Sequence, residues 1–306
     1  MRKLKSLPLR PGAAIGIIAP ASPVRSGAEV ETAVALLTGR GFRIVLGETT
    51  AAGTDYLSGD DRKRRRDLEK LWSDPAVAAL WALRGGYGCL RILERLNYRL
   101  FEANPKILMG FSDLTALELG LWARLKLVSF HGPVLTTLKS EFSLAEALLA
   151  LSGEFDGNYR WPAAVFEKLV TIRNGKARGI LVGGNLATLV SLVGTGFLPD
   201  FTDTVLFIEE VGEADYRIDR MLTQLLVSGL LEKAAAILVG RSVPVEGQTE
   251  SDLIKVFSER LQLLNCPSAY GFPIGHLREV WTLPQGIMVE TDTGRGILRL
   301  LENPFR

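Results

Sequence analysis

Four short segments hold residues that could do chemistry together. In Lys106-Ile107-Leu108-Met109-Gly110-Phe111-Ser112-Asp113-Leu114-Thr115 an apolar strand runs into a tight turn and then a helix. A serine on such a turn projects its hydroxyl from the C-terminal edge of a sheet, where open α/β sheets bind ligands. The helix N-terminus beside it favours a developing oxyanion, and the N–H of Asp113 is the natural donor. Ser112 would equally suit a plain helix cap, and the lipase-type elbow is absent because Leu114 stands where that motif wants glycine. In the second segment, Arg84-Gly85-Gly86-Tyr87-Gly88, three glycines let backbone approach a ligand closely. It is neither the dinucleotide fingerprint nor a P-loop, which needs a lysine. An oxyanion hole built on Gly85 and Gly86, a carboxylate-receiving loop and a phosphate cradle all remain open. In the third, an apolar strand ends in Glu209-Glu210. Acids there are commonly just solvated, but a strand end is rigid enough to orient a histidine. The fourth is Gly275-His276, on a Gly/Pro-bearing loop. Ser112, Glu209 and His276 follow the chain order serine, acid, histidine, which α/β-hydrolases also use. The only other histidine, His131, lies nearer to Ser112 in sequence, at the end of the next strand. His276 is favoured as base because a triad split between two domains puts the reacting bond in a cleft.

Elements able to position these residues can be read from periodicity. Strands at 15–19, 42–46, 77–83, 107–109 and 128–130 alternate with helices at 28–38, 61–72, 89–96 and 112–125. Such alternation implies a parallel sheet covered on both faces. The pattern weakens over 139–176, where Gly153, Asp156-Gly157-Asn158 and Trp161-Pro162 are turn signals, and a helix plus linker is expected. A strand at 177–182 follows, and Gly183-Gly184-Asn185 is expected to open a helix reaching Val193. Further strands at 205–209 and 235–239, helices at 218–228 and 253–264, and short closing strands at 281–283, 287–290 and 296–300 complete a mixed α/β half. The expected fold class is therefore α/β, with an N-terminal parallel-sheet domain over 1–138, a linker over 139–176 and a C-terminal mixed α/β domain over 177–306.

Composition narrows the function classes. The 306 residues are 47% hydrophobic and 23% charged, which is ordinary for a globular protein. Lys and Arg total 36 against 34 for Asp and Glu, a net charge of +2, so a polyanion is not the expected partner. The basic run Arg62-Lys63-Arg64-Arg65-Arg66 is flanked by acids and reads as a solvated helix face. Cys89 and Cys266 form neither a disulfide framework nor a metal-ligand spacing. Arg2, Lys3 and Lys5 ahead of the apolar run 13–19 imitate a secretory signal. The run is short, however, with Gly16 inside it and Pro8, Pro11 and Gly12 between it and the charges, so a buried first strand is expected. No apolar stretch is long enough to span a membrane.

Seven motifs, in order, carry a family resemblance. They are Ile17-Ile18-Ala19-Pro20-Ala21-Ser22-Pro23, Arg84-Gly85-Gly86-Tyr87-Gly88, Gly110-Phe111-Ser112-Asp113, His131-Gly132-Pro133, Gly183-Gly184-Asn185-Leu186, Phe207-Ile208-Glu209-Glu210 and Gly275-His276. Together they resemble the LD-carboxypeptidases, or muramoyltetrapeptide carboxypeptidases, over about residues 12 to 301. The resemblance implies a flavodoxin-like N-terminal domain, a C-terminal α/β domain, a cytoplasmic location and a homodimer. It implies Ser112 as nucleophile, Glu209 as acid and His276 as base, acting on a murein peptide. The mechanism these residue types suggest calls for no metal or cofactor, and neither nucleic acid nor membrane is an expected partner. Asp113, Gly85 and Gly86 are the expected oxyanion donors. Arg84, Tyr87 and Asn185 are the expected substrate contacts. Two rivals are weighed against this reading. One is an enzyme similar to the microcin C immunity proteins, which cut an acyl-sulfamoyl or phosphoramidate bond to adenosine. The other is a non-catalytic protein that binds a phosphate ligand on the glycine loop, against which the intact triad argues.

Overall fold

The computed structural model describes residues 2–53, 55–161 and 168–306. Five apolar runs of the first half form the parallel strands β1 (Ala14–Ile18), β2 (Arg43–Leu46), β3 (Val77–Ala82), β4 (Ile107–Gly110) and β5 (Ser129–His131). Their spatial order, β2-β1-β3-β4-β5, is the doubly wound order of flavodoxin-like sheets. Every residue of β1 and β4 is buried, as strands covered on both faces must be. The run that imitates a secretory signal is β1, held between β2 and β3. Helices α1 (Gly27–Thr38), α2 (Asp61–Ser73), α3 (Cys89–Leu93), α4 (Tyr98–Ala103), α5 (Leu114–Leu125) and α6 (Glu141–Ser152) connect and follow these strands. Asp60 caps α2 as its position suggests, accepting the Lys63 N–H at 2.7 Å. Ten of the twelve residues of α5 are buried, Thr115 and Glu118 among them, so this mostly apolar helix is covered nearly all round. Its Leu114, Leu117 and Leu121 share one core with Leu186 and Leu189 of the second half, which joins the two sheets.

The second sheet contains β6 (Val170–Arg173), β7 (Lys176–Asn185), β8 (Thr204–Glu209), β9 (Ala236–Gly240) and β10 (Ser268–Phe272). It also contains β12 (Met288–Asp292) and β13 (Ile297–Leu300), in the order β13-β12-β7-β8-β9-β10-β6. Its centre, β7-β8-β9-β10, is parallel, and β12, β13 and β6 flank it antiparallel. Helices α7 (Leu186–Ser191), α8 (Asp215–Val227) and α9 (Glu250–Leu261) belong to this half.

Four elements differ from the sequence reading. Strand β7 runs on through Gly183-Gly184-Asn185, and the expected helix opens directly after it, capped by Asn185 and ending at Ser191 rather than Val193. The two glycines lie so close to Phe207 and Thr115 that pairing with Phe207, Ile208 and Glu209 continues to the end. Strand β6 falls in the expected linker, and helix α4 is too short for its periodicity to register. Strand β11 (Leu283–Gln285) leaves the second half and pairs antiparallel with β5 at the edge of the first sheet. The basic run on α2 is also only partly solvated. Arg62, Lys63 and Arg66 are exposed, but Arg64 is fully buried because it lies on the stripe that continues through Asp67, Leu68 and Leu71. Pro162, part of one expected turn signal, lies outside the described residues.

Candidate active site

The C-terminal ends of β1, β3 and β4 bring three loops to one edge of the first sheet, beside the β1/β3 crossover where such sheets bind ligands. Ser112 follows β4 with φ +63°, a left-handed conformation that costs a residue with a Cβ about 1–2 kcal/mol. Its carbonyl accepts the Thr115 N–H at 3.0 Å, but the N-cap position of α5 is Asp113. The Ser112 hydroxyl makes no hydrogen bond among the described residues, so it is not used as a cap. Instead it faces a cleft of about 360 Å³ whose walls include Arg84, Gly85, Gly86, Phe111 and His276.

The glycine loop after β3 backs directly onto this serine. A Cβ on Gly85 would lie 2.8 Å from both Cβ and Oγ of Ser112, so this close approach requires glycine. Among the described residues the N–H groups of Gly85, Gly86 and Asp113 donate to no protein acceptor. Their neighbours, by contrast, are tied down. Ser22 N–H donates to the Gly85 carbonyl at 3.3 Å, and Tyr87 N–H donates to Ser22 Oγ at 3.2 Å. Cys89 N–H donates to Asp113 Oδ2 at 2.8 Å. Donors fixed in place and left unpaired are what an oxyanion site needs.

From the second sheet come the acid and the histidine. Glu209 ends β8, and its Oε2 lies 2.7 Å from Nδ1 of His276, on the loop after β10. Gly275 has φ +96°, and a Cβ there would stand 2.3 Å from Glu209 Oε2, so glycine is required for the loop to lie against the acid. The Phe111 ring packs on the imidazole with centroids 4.4 Å apart. Burial pushes the Glu209 carboxyl up, but the His276 ring beside it more than reverses this and the net direction is down. Burial likewise pulls His276 down, and the Glu209 carboxylate, helped by Glu210, turns the net direction upward. An ionised carboxylate only accepts, so Nδ1 carries the proton donated to Glu209 and Nε2 keeps its lone pair.

Glu210 points to the opposite face of β8, as neighbours on a strand do. It accepts from Ala187 N–H at 2.8 Å and from Asn185 Nδ2 at 2.9 Å. Asn185 in turn accepts the Thr188 N–H at 3.0 Å and caps α7, and it is not among the cleft-lining residues. Tyr87 is exposed with its ring 6.1 Å from that of Tyr56, again outside the lining. Arg84 does line the cleft and donates to the Pro23 carbonyl at 3.0 Å. His131 is fully buried and is not part of the lining. Its Nδ1 is 3.6 Å from Glu118 Oε2, and its ring meets Phe207 edge-on.

Sequence reasoning overlooked Arg25 and Glu29 at the cleft and Ser22 beneath the glycine loop. The first two had a signal: Ser26-Gly27-Ala28-Glu29 has capping-box spacing. Glu29 Oε2 indeed accepts from the N–H groups of Arg25 at 2.7 Å and Ser26 at 3.1 Å. A hydroxyl, an imidazole held by a buried carboxylate and unpaired N–H donors around one cleft can together perform acyl transfer.

Comparison with known proteins gives a consistent result. The profile of the LD-carboxypeptidase N-terminal domain matches residues 15–132, and that of the LD-carboxypeptidase C-terminal domain matches residues 178–291. A probable murein peptide carboxypeptidase of Bacillus subtilis is 36% identical, over 93% of this chain and 90% of that protein. A murein tetrapeptide carboxypeptidase of Pseudomonas aeruginosa is 32% identical, over 89% of this chain and 91% of that protein. Among solved structures, MccF in complex with glutamyl sulfamoyl guanosine superposes with a TM-score of 0.90. It covers 99% of this chain and 100% of that one at 24% identity, a likeness of fold.

Proposed function

The chain belongs to the LD-carboxypeptidase family, and on that premise we propose that it releases the terminal D-alanine of a murein tetrapeptide through Ser112, Glu209 and His276. The observation that carries this reading is the His276–Glu209 pair, 2.7 Å apart and presented to the same cleft as the unpaired Ser112 hydroxyl. His276 Nε2 takes the Ser112 proton as Oγ attacks the carbonyl on the L-centre of the diamino acid. Glu209 holds the ring in the needed tautomer and stabilises its cation. The N–H groups of Gly85, Gly86 and Asp113 receive the oxyanion, where losing one donor costs about 3–4 kcal/mol in well-studied enzymes. The protonated His276 then gives its proton to the departing D-alanine amine, and water resolves the acyl-enzyme by the same route. The reading extends to a cytoplasmic homodimer serving peptidoglycan recycling. Among the described residues, no helix is long and apolar enough to cross a membrane.

A carboxypeptidase must recognise a free carboxylate, and the planar fork of arginine does this in a way lysine cannot. Arg84 borders the oxyanion loop, uses one donor on Pro23 and has no carboxylate partner among the described residues. Arg84→Lys should lower kcat/KM for the free-acid tetrapeptide by about tenfold to a hundredfold, the range of a charge-assisted hydrogen bond. It should leave the C-terminally amidated peptide nearly unchanged. Equal losses on both substrates would remove this role from Arg84.

A second reading, hydrolysis of an aminoacyl-nucleotide analogue by the same three residues, is supported by 26% identity to the microcin C7 self-immunity protein MccF of Escherichia coli, over 94% of this chain and 93% of that protein. Incubating the protein with murein tetrapeptide and, separately, with an aminoacyl sulfamoyl adenylate, then weighing the products, decides between them. The proposal expects tripeptide and free D-alanine from the first. Intact tetrapeptide beside a cleaved adenylate would overturn it.

A further inference from the structure

The basic run on α2 contains one residue that the helix turns inward, away from solvent. Arg64 is fully buried, and its guanidinium reaches three backbone carbonyls. Nη1 donates to Gly88 at 2.9 Å and to Pro20, and Nε donates to Gly59 at 3.1 Å. Nη2 donates to Asp61, a carboxylate at the rim that is shared with Arg91. A buried charge is expensive unless its donors are met, and here most are met by loop backbone rather than by a carboxylate.

Two of those carbonyls, Gly88 and Pro20, belong to the loops that build the oxyanion site, and the third, Gly59, leads into α2. Gly88 ends the Gly85–Gly88 loop. Pro20 lies on the loop after β1, two residues before Ser22, whose N–H and Oγ hold Gly85 and Tyr87. At the far end of the glycine loop, Cys89 N–H is held by Asp113, the residue after Ser112. Arg64 thus ties the loop carrying Ser22 to the end of the loop it supports, from behind, while touching nothing in the cleft. The fork of arginine can grip two carbonyls from one nitrogen and a third from Nε at once, which an ammonium on a flexible stem does not reproduce.

We propose that Arg64 is a positioning residue for the oxyanion loop, a buried guanidinium that fixes where the Gly85 and Gly86 N–H groups point. This rests on the reading of the cleft as an acyl-transfer site. Loss of aim at an oxyanion site weakens transition-state binding and leaves ground-state binding in place, so the effect falls on kcat. The charge itself also reaches the elbow: it opposes the rise that burial imposes on the Asp113 carboxyl.

The experiment compares Arg64→Met and Arg64→Lys with the wild type, using protein shown to be folded by circular dichroism and thermal melting. The readouts are kcat and KM for murein tetrapeptide and inhibition by a phosphonate analogue that mimics the tetrahedral oxyanion. Arg64→Met should lose about 10²- to 10³-fold in kcat, the loss seen when an oxyanion donor is removed. Its KM should stay within about twofold, and the inhibition constant of the phosphonate should rise in parallel with the fall in kcat. Arg64→Lys should recover part of kcat. If Arg64→Met does not fold, Arg64→Lys alone decides, by showing or failing to show a kcat loss at constant KM that tracks phosphonate affinity. A folded variant with wild-type kcat, or one whose KM rises while phosphonate affinity is unchanged, overturns the inference. Turnover that survives Ser112→Ala would instead remove the underlying reading, so the two failures are distinguishable.

Discussion

Alanine at Ser112 is expected to leave the protein folded and to lower kcat for D-alanine release by about 10⁴- to 10⁶-fold, the scale seen when a triad serine is removed. Stability should barely change, because the hydroxyl makes no hydrogen bond among the described residues and alanine keeps the Cβ that the left-handed turn already accommodates. Catalysis should collapse because the substitution removes the hydroxyl that lies against the glycine loop in the cleft shared with His276. Residual turnover would come from the oxyanion donors and from binding alone. Steady-state kinetics beside a thermal melt checks both halves of the expectation. Undiminished release of D-alanine by a folded variant would remove Ser112 as nucleophile.

The two histidines should respond in opposite ways. His276→Ala is expected to abolish turnover at every pH, by about 10⁴-fold or more, the scale seen when a triad histidine is removed. His131→Ala should retain measurable turnover, since that ring is sealed between Glu118 and Phe207, outside the cleft lining. The pH series gives the sign. A base must be neutral to accept a proton, and burial, which lowers the His276 pKa, is outweighed by Glu209, so the net value lies above the usual 6.5. Activity should therefore fall as pH drops through a midpoint above the ordinary imidazole value. The same acid limb should persist in His131→Ala. A dead His131 variant beside an active His276 variant would contradict the assignment.

What the sequence reveals and what it hides divides along physical lines. Short apolar runs and helical patterns mark β1 to β5 and their helices because each element buries one face or two against near neighbours in the chain. The pairing of Leu283 with His131 cannot be read this way, since β11 is three residues long and its partner lies at the far side of the chain. The chemistry-bearing residues are legible by type: Ser112 after a strand, two acids ending another, a histidine after glycine. Which of Glu209 and Glu210 faces the histidine depends on strand parity relative to a loop from elsewhere; the family resemblance names Glu209, and the residue types alone do not distinguish the two. Arg64 was misread for a related reason. Charge dominates the run 62–66, although position 64 continues the buried stripe of Leu68 and Leu71. Asn185 lies in a motif but turns its side chain to Glu210 and the start of α7, a destination the motif does not disclose.

The central claim is that Ser112 becomes acylated by the peptide, and one measurement reaches it directly. Enzyme in excess over murein tetrapeptide is quenched in acid at intervals through the first turnover, and the intact protein and its digest are weighed. The account predicts a transient adduct with the mass of the tripeptide acyl group, mapped to Ser112, appearing as D-alanine is released and decaying as free tripeptide forms. D-alanine release with no adduct at any point in that turnover, or an adduct on a residue other than Ser112, would contradict it.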